Sequence, residues 1–123
     1  MKIAIIGRGK TGQAVYDSLS DNQIEAVFST ENPVTADRLK SADLAIVFVP
    51  GKSMQALMSP LLEAGIPVVC GTTGFDWPKD LSERIKAAHT RWVMASNFSL
   101  GMSLMRHCIR LLGNATSILS DAH

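Results

Sequence analysis

The stretch "KIAIIGRGKTG", residues 2–12, decides how the rest of the chain is read. Ile3, Ala4, Ile5 and Ile6 form an apolar run, rich in β-branched residues, that Gly7 ends. A run with no polar face reads as a parallel strand covered on both sides. Behind the glycines, "TGQAVYDSLSD" (11–21) places Ala14, Val15 and Leu19 on one side of a helix. A strand-to-helix turn of this kind meets three demands. Sharp reversal suits Gly7, close backbone approach to a pyrophosphate suits Gly9, and tight helix packing suits Gly12. The unpaired N–H groups and dipole of the helix start then attract phosphate. Lys10-Thr11 mimics the end of a Walker A loop at the wrong spacing, which excludes that reading. In this strand-to-helix context Gly7, Gly9 and Gly12 mark a dinucleotide site, against the alternative of a plain glycine-rich turn.

Working outward, apolar runs and helical patterns alternate. "IEAVFS" (24–29) predicts a strand, with Pro33 as a breaker, and "TADRLKSA" (35–42) a short helix capped by Thr35. "DLAIVFVP" (43–50) is the strongest strand signal. "SMQALMSPLLEAG" (53–65) predicts a helix with Ser53 as N-cap, Gly65 as C-cap, and a kink or split at Pro60. "IPVVCGTTG" (66–74) is a strand entering a loop, and "PKDLSERIKAAH" (78–89) a surface helix with Pro78 in its first turn. "RWVMAS" (91–96) is a further strand, and "LGMSLMRHCIRLLG" (100–113) a helix stopped by Gly113. In the last stretch, "TSIL" (116–119) is expected to open a new strand, so the end reads as a cut. The alternation predicts an α/β fold, a doubly wound parallel sheet in a single domain over 1–113, with 114–123 starting a connection to something further.

Bulk properties narrow the function. With 12 Lys plus Arg against 11 Asp plus Glu, no electrostatic case exists for nucleic acid or an anionic membrane surface. Cys70 and Cys108 have neither metal-ligand spacing nor a disulfide pattern and read as reduced, buried thiols; no metal is expected. The four apolar residues before Gly7 are too few for a secretory signal, and no apolar run approaches the ~20 residues of a membrane span. A cytoplasmic protein is the expectation. His89 and His107 fall on helix faces as solvated residues, and the six methionines mostly sit at core spacing. Trp77 reads as a staple on the following helix or as a border of the cofactor pocket.

The ribose reader should lie after the second strand, at Ser29, Thr30 or Glu31. Glu31 would accept from a 2′-hydroxyl and favour NAD; Ser29 and Thr30 would bond a 2′-phosphate, with Arg8, Lys10 or the more distant Arg38 supplying charge. "GTTGF" (71–75) and "ASNFSLG" (95–101) also follow strands, so they lie on the same edge as the glycine loop. Gly71 lets backbone approach a flat ring, Thr72 and Thr73 add hydroxyls, and Ser96, Asn97 and Ser99 sit at a helix start as ligands or as caps.

GRGKTG, GTTGF and NFSLG together resemble the N-terminal domain of the dihydrodipicolinate reductase family over essentially the whole chain. The resemblance implies a Rossmann-type domain and an oxidoreductase that transfers hydride from NADH or NADPH to a cyclic dicarboxylate imine in the diaminopimelate route to lysine. It implies that Gly7 through Gly12 hold pyrophosphate and that Gly71, Thr72 and Thr73 hold the carboxamide. Thr73 also touches a substrate carboxylate, and Ala95, Ser96, Asn97 and Phe98 line the nicotinamide side. The adenosine side would be read around Ser29, Thr30, Val49 and Pro50. The family's second domain, with its His-His pair and following lysine, is absent here, so no catalytic residue is assigned and this chain alone is expected to be inactive. A homo-oligomer is expected only of a full-length chain. The alternatives are a stand-alone NAD(P)-binding sensor and the first domain of another dehydrogenase, such as an aspartate dehydrogenase.

Overall fold

Period-two alternation inside continuous apolar strands gives this molecule two cores, one on each face of one sheet. The computed structural model describes residues 2–7, 10–19, 24–29, 32–72, 75–95 and 98–121, with the backbone alone for 10–12, 18, 98, 99 and 112–121. Its elements run β1 (Ile3–Ile6), α1 (Lys10–Ser18), β2 (Ile24–Phe28), α2 (Ala36–Leu39), β3 (Leu44–Val47), α3 (Gly51–Ala64), β4 (Val68–Cys70), α4 (Leu81–Ala87), β5 (Trp92–Met94) and α5 (Phe98–Asp121). The strands pair in parallel in the order β2-β1-β3-β4-β5. The chain moves outward from β1 to β2, then crosses back over β1 to β3. The crevice at that reversal, outside the carboxyl ends of β1 and β3, is where open α/β sheets bind ligands.

Ala4, Ile6, Ala45, Val47, Val68 and Cys70 face one way and meet Leu39 of α2, Met54, Met58 and Leu61 of α3, and Leu81 of α4. Ile3, Ile5, Leu44, Ile46 and Val69 face the other way and meet Val15 of α1 and Met102 and Met105 of α5. The sheet is therefore doubly wound, a Rossmann-type α/β fold. Among the described residues no helix is long and apolar enough to cross a membrane.

Local signals hold at several ends. Thr35 caps α2 by accepting from the Arg38 N–H, and Gly65 ends α3 at φ 65°, in the left-handed region. Six expectations need correction. Helix α3 begins at Gly51 behind Pro50, so Ser53 is inside its first turn, donating its N–H to the Pro50 carbonyl at 2.9 Å. Pro60 does not split that helix, which runs unbroken to Ala64. Pro78 lies before α4, and exposed His89 sits in the turn behind it at φ 56° instead of on a helix face. The last helix passes through Gly113 to Asp121, so "TSIL" is helical. One interior glycine costs a helix only about 1 kcal/mol, and no proline follows to enforce a stop.

Candidate functional site

Each of the three loops starts where a strand ends, on one rim of the sheet. Gly7 leaves β1 at φ +117°, a conformation open to glycine, and donates its N–H to the Phe28 carbonyl at 3.0 Å. A Cβ there would collide with the Phe48 carbonyl oxygen, so β1 and β3 approach too closely for any side chain. The first turn of α1, Lys10 to Gly12, follows on the same rim. Its leading N–H groups have no intrahelical partners and form the positive end of the helix dipole. Arg8 and Gly9 lie outside the described residues.

Beside Gly7, at the carboxyl ends of β1, β2 and β3, opens a cavity of about 500 Å³. Gly7, Phe28 and Ser29 line its strand side, Pro33 and Val34 one wall, and Val49 and Pro50 the end of β3. Ser53, Ala56 and Leu57 of α3 close the other wall. The lining is mainly apolar with two hydroxyl-bearing residues, the chemistry that suits a planar heterocycle on a polar sugar. Ser29, Val49 and Pro50 are thus brought together where the adenosine side was expected. Pro33, Val34, Ser53, Ala56 and Leu57 were missed. The 53, 56, 57 spacing on a helix that begins at the switch point is the signal that finds the last three.

The loop after β2 is closed by reciprocal backbone bonds between Ser29 and Asn32, at 3.1 and 3.2 Å. The Asn32 amide donates to the Val27 carbonyl at 2.8 Å. Arg38, reaching from α2, lays its guanidinium over the Phe28 ring at 4.7 Å and donates to Asn32 Oδ1 and the Pro33 carbonyl. This puts a fixed cation at the cavity rim, nearer than its place in the chain suggests. Thr30 and Glu31 lie outside the described residues.

Across the other half of the rim, the described residues are packed within the protein. The Gly71 N–H donates to the Val47 carbonyl at 2.9 Å, and the Ala95 N–H to the Cys70 carbonyl at 2.8 Å. Thr72 is buried, and its hydroxyl donates to Met54 Sδ at 3.8 Å, so that hydroxyl is engaged within the protein. Burial pushes the Cys70 thiol upward, against opposing hydrogen bonds from Thr72. Ala95 is buried, and α5 opens at Phe98 on the same edge. Trp77 packs edge-on against Phe75 at 4.8 Å, and both lie on the core beneath α3 and α4. Thr73, Gly74, Ser96 and Asn97 lie outside the described residues.

Residues 1–98, from β1 to the first residue of α5, match the family model described as dihydrodipicolinate reductase, N-terminus. The chain belongs to the dihydrodipicolinate reductase N-terminal family. The match includes GRGKTG, GTTGF and the first turn residues after β5. Among relatives named 4-hydroxy-tetrahydrodipicolinate reductase, one from Christiangramia forsetii is 31% identical over 126 residues, covering 98% of this chain and 52% of that protein. One from Haloarcula marismortui is 28% identical over 140 residues, covering 98% of this chain and 53% of that protein. One from Chromobacterium violaceum is 31% identical over 121 residues, covering 98% of this chain and 43% of that protein. The chain spans about half the length of the curated relatives it matches. As a member of a pyridine-nucleotide-dependent reductase family, it carries the nucleotide-binding part.

Proposed function

We propose that this chain is the cofactor-binding part of a 4-hydroxy-tetrahydrodipicolinate reductase, which reduces a cyclic dicarboxylate imine at the expense of NADH or NADPH. The observation that carries the reading is the cavity at the β1/β3 reversal, bordered by Gly7 and followed by the open start of α1. Val34 and Leu57 would hold the adenosine, and Ser29 would meet its ribose, since all three line this cavity. Gly7, Arg8 and Gly9 and the backbone N–H groups of Lys10, Thr11 and Gly12 would hold the pyrophosphate. Gly71, Thr72, Thr73, Ala95, Ser96, Asn97 and Phe98 would hold the nicotinamide end, with Thr73 also meeting a substrate carboxylate. The missing Cβ at Gly7 makes room for the Phe48 carbonyl, which brings β1 and β3 together beside the cavity.

When bound, the nicotinamide supplies the hydride. The chain orients it: the helix start holds the phosphates, and the two later loops hold the ring. No proton donor is assigned to these residues. Calorimetric titration with NADH and with NADPH tests the reading. Saturable heat with either supports it, and no heat with both would overturn it.

A further inference from the structure

We infer that Phe48 is a positioning residue, a wedge whose ring sets the separation of the two loops at the nicotinamide end; the inference rests on the reading just given. Phe48 follows β3 and extends its pairing, donating its N–H to the Ile6 carbonyl at 3.0 Å. It is only 9% exposed and packs with Val69, Met102 and Met105. Its backbone and its ring do different things. The carbonyl abuts Gly7, where it forbids a side chain in the glycine loop. The ring turns the other way, toward β4 and α5. A Cβ on Gly71 would fall on ring atoms Cδ1 and Cε1, and a Cβ on Gly101 would come within 2.9 Å of Cε1 and Cζ. One aromatic ring is therefore held between the first residue of the GTTGF loop and the first turn of α5, each reduced to glycine at the point of contact.

This contact sits where spacing matters. Two loops that grip opposite sides of one flat ring must keep a fixed gap, and a misplacement of about 1 Å costs an aligned site heavily. The gap here is held from below by a side chain at van der Waals contact with both supports. The adenosine cavity lies on the opposite face of the sheet end and has no share of the ring: its lining includes Val49 and Pro50 but not Phe48. A change in ring volume should act on one end of the dinucleotide and spare the other. A residue that served only the core would weaken both alike.

The test compares ligands that differ at one end. In Phe48→Leu, affinity for NADH and NADPH is expected to fall about tenfold, while affinity for ADP stays within about twofold. The emission change of bound reduced nicotinamide is expected to weaken in parallel. Phe48→Met, which keeps more of the volume, should lie between parent and Phe48→Leu, and it serves alone if Phe48→Leu does not fold. Gly71→Ala should disturb the parent strongly, yet be tolerated better in the Phe48→Leu background, a non-additive pair. Equal losses for ADP and dinucleotide, no loss at all, or strict additivity would each overturn the wedge. If the parent binds neither ADP nor dinucleotide, the cofactor reading falls and takes the wedge with it; a parent that binds, with variants that lose nothing selectively, sinks the wedge alone.

Discussion

The two halves of the binding rim are built from the same parts and finished in opposite ways. Over β2, β1 and the end of β3, the strands open on a hollow of about 500 Å³ bordered by α3. Over β4 and β5, the described residues are packed instead: the Phe48 ring lies against Gly71 and Gly101, the Thr72 hydroxyl is engaged and Ala95 is buried. Glycine stands at the strand end in both halves, for different reasons. Gly7 makes room for a neighbouring backbone and takes a positive φ, whereas Gly71 makes room for a side chain of the protein itself. A glycine in a cofactor motif thus need not face the cofactor. The hollow half offers shape and charge, and the packed half offers spacing.

The largest effect expected from breaking this contrast is at Gly7. Alanine there would meet a main-chain carbonyl that cannot swing aside, at a φ that disfavours any Cβ. Gly7→Ala should cost about 2–4 kcal/mol, with a fall in melting temperature on the order of 10 °C and loss of detectable dinucleotide binding. A variant as stable as the parent would mean that β1 and β3 are not so close.

Filling the hollow sharpens the contrast without touching the core. Ala56 is exposed on α3 and lines the cavity. Ala56→Phe should lower ADP affinity about tenfold or more, which titration reads, and leave stability within about 0.5 kcal/mol. Unchanged ADP affinity would separate the cavity from nucleotide binding.

A smaller effect is expected at Arg38, whose guanidinium is held over Phe28 beside the hollow. Arg38→Ala should weaken NADPH about three- to tenfold more than NADH, because a charge-assisted bond to the extra phosphate is lost. The difference should shrink as salt is raised. Equal losses for the two cofactors would assign Arg38 to bracing the Ser29–Asn32 loop alone.

Much of the frame could be read from the chain, because its information is local. Apolar runs, three of them ended by Gly or Pro, located the five strands of the described residues, and strand–loop–helix order was enough to expect three loops on one edge. Thr35 and Gly65 announced their caps in single residues. Signals that compete locally read less well. Ser53 has the chemistry of an N-cap, but Pro50, with φ already at −59°, starts the helix earlier. Gly113 looks like a stop, yet Ala115, Ile118 and Leu119 continue a helical spacing beyond it. Tertiary contacts were not legible at all. Nothing near Phe48 in sequence reveals that Gly71 and Gly101 close on its ring, and nothing near Thr72 reveals that its hydroxyl turns to Met54. The site's motifs were visible, but which of their atoms remain for a ligand depended on packing between distant segments.

The smallest expected effect separates the halves through a proton. Cys70 ends β4 on the packed side and is 1% exposed, with its thiol raised above an ordinary 9.0 chiefly by desolvation. Burial favours the neutral thiol, so the folded form holds its proton to higher pH than the unfolded chain. The sign follows: this stabilisation is complete below pH 9, then declines with further alkalinity until the folded thiol itself ionises. Over that window stability should fall by at most about 1.4 kcal/mol per pH unit for this one group. Cys108, half-buried on α5, is raised by burial as well and adds a weaker slope in the same direction. Urea unfolding between pH 8 and 10.5 should therefore show a decline that is reduced in Cys70→Val and nearly unaltered in Cys108→Val. Thiol alkylation at pH 8 should reach Cys108 first, and a saturating dinucleotide should change the Cys70 rate little, because the protein already covers that sulfur. Fast alkylation of Cys70 that NADH or NADPH blocks would mean that the second half of the rim is as hollow as the first.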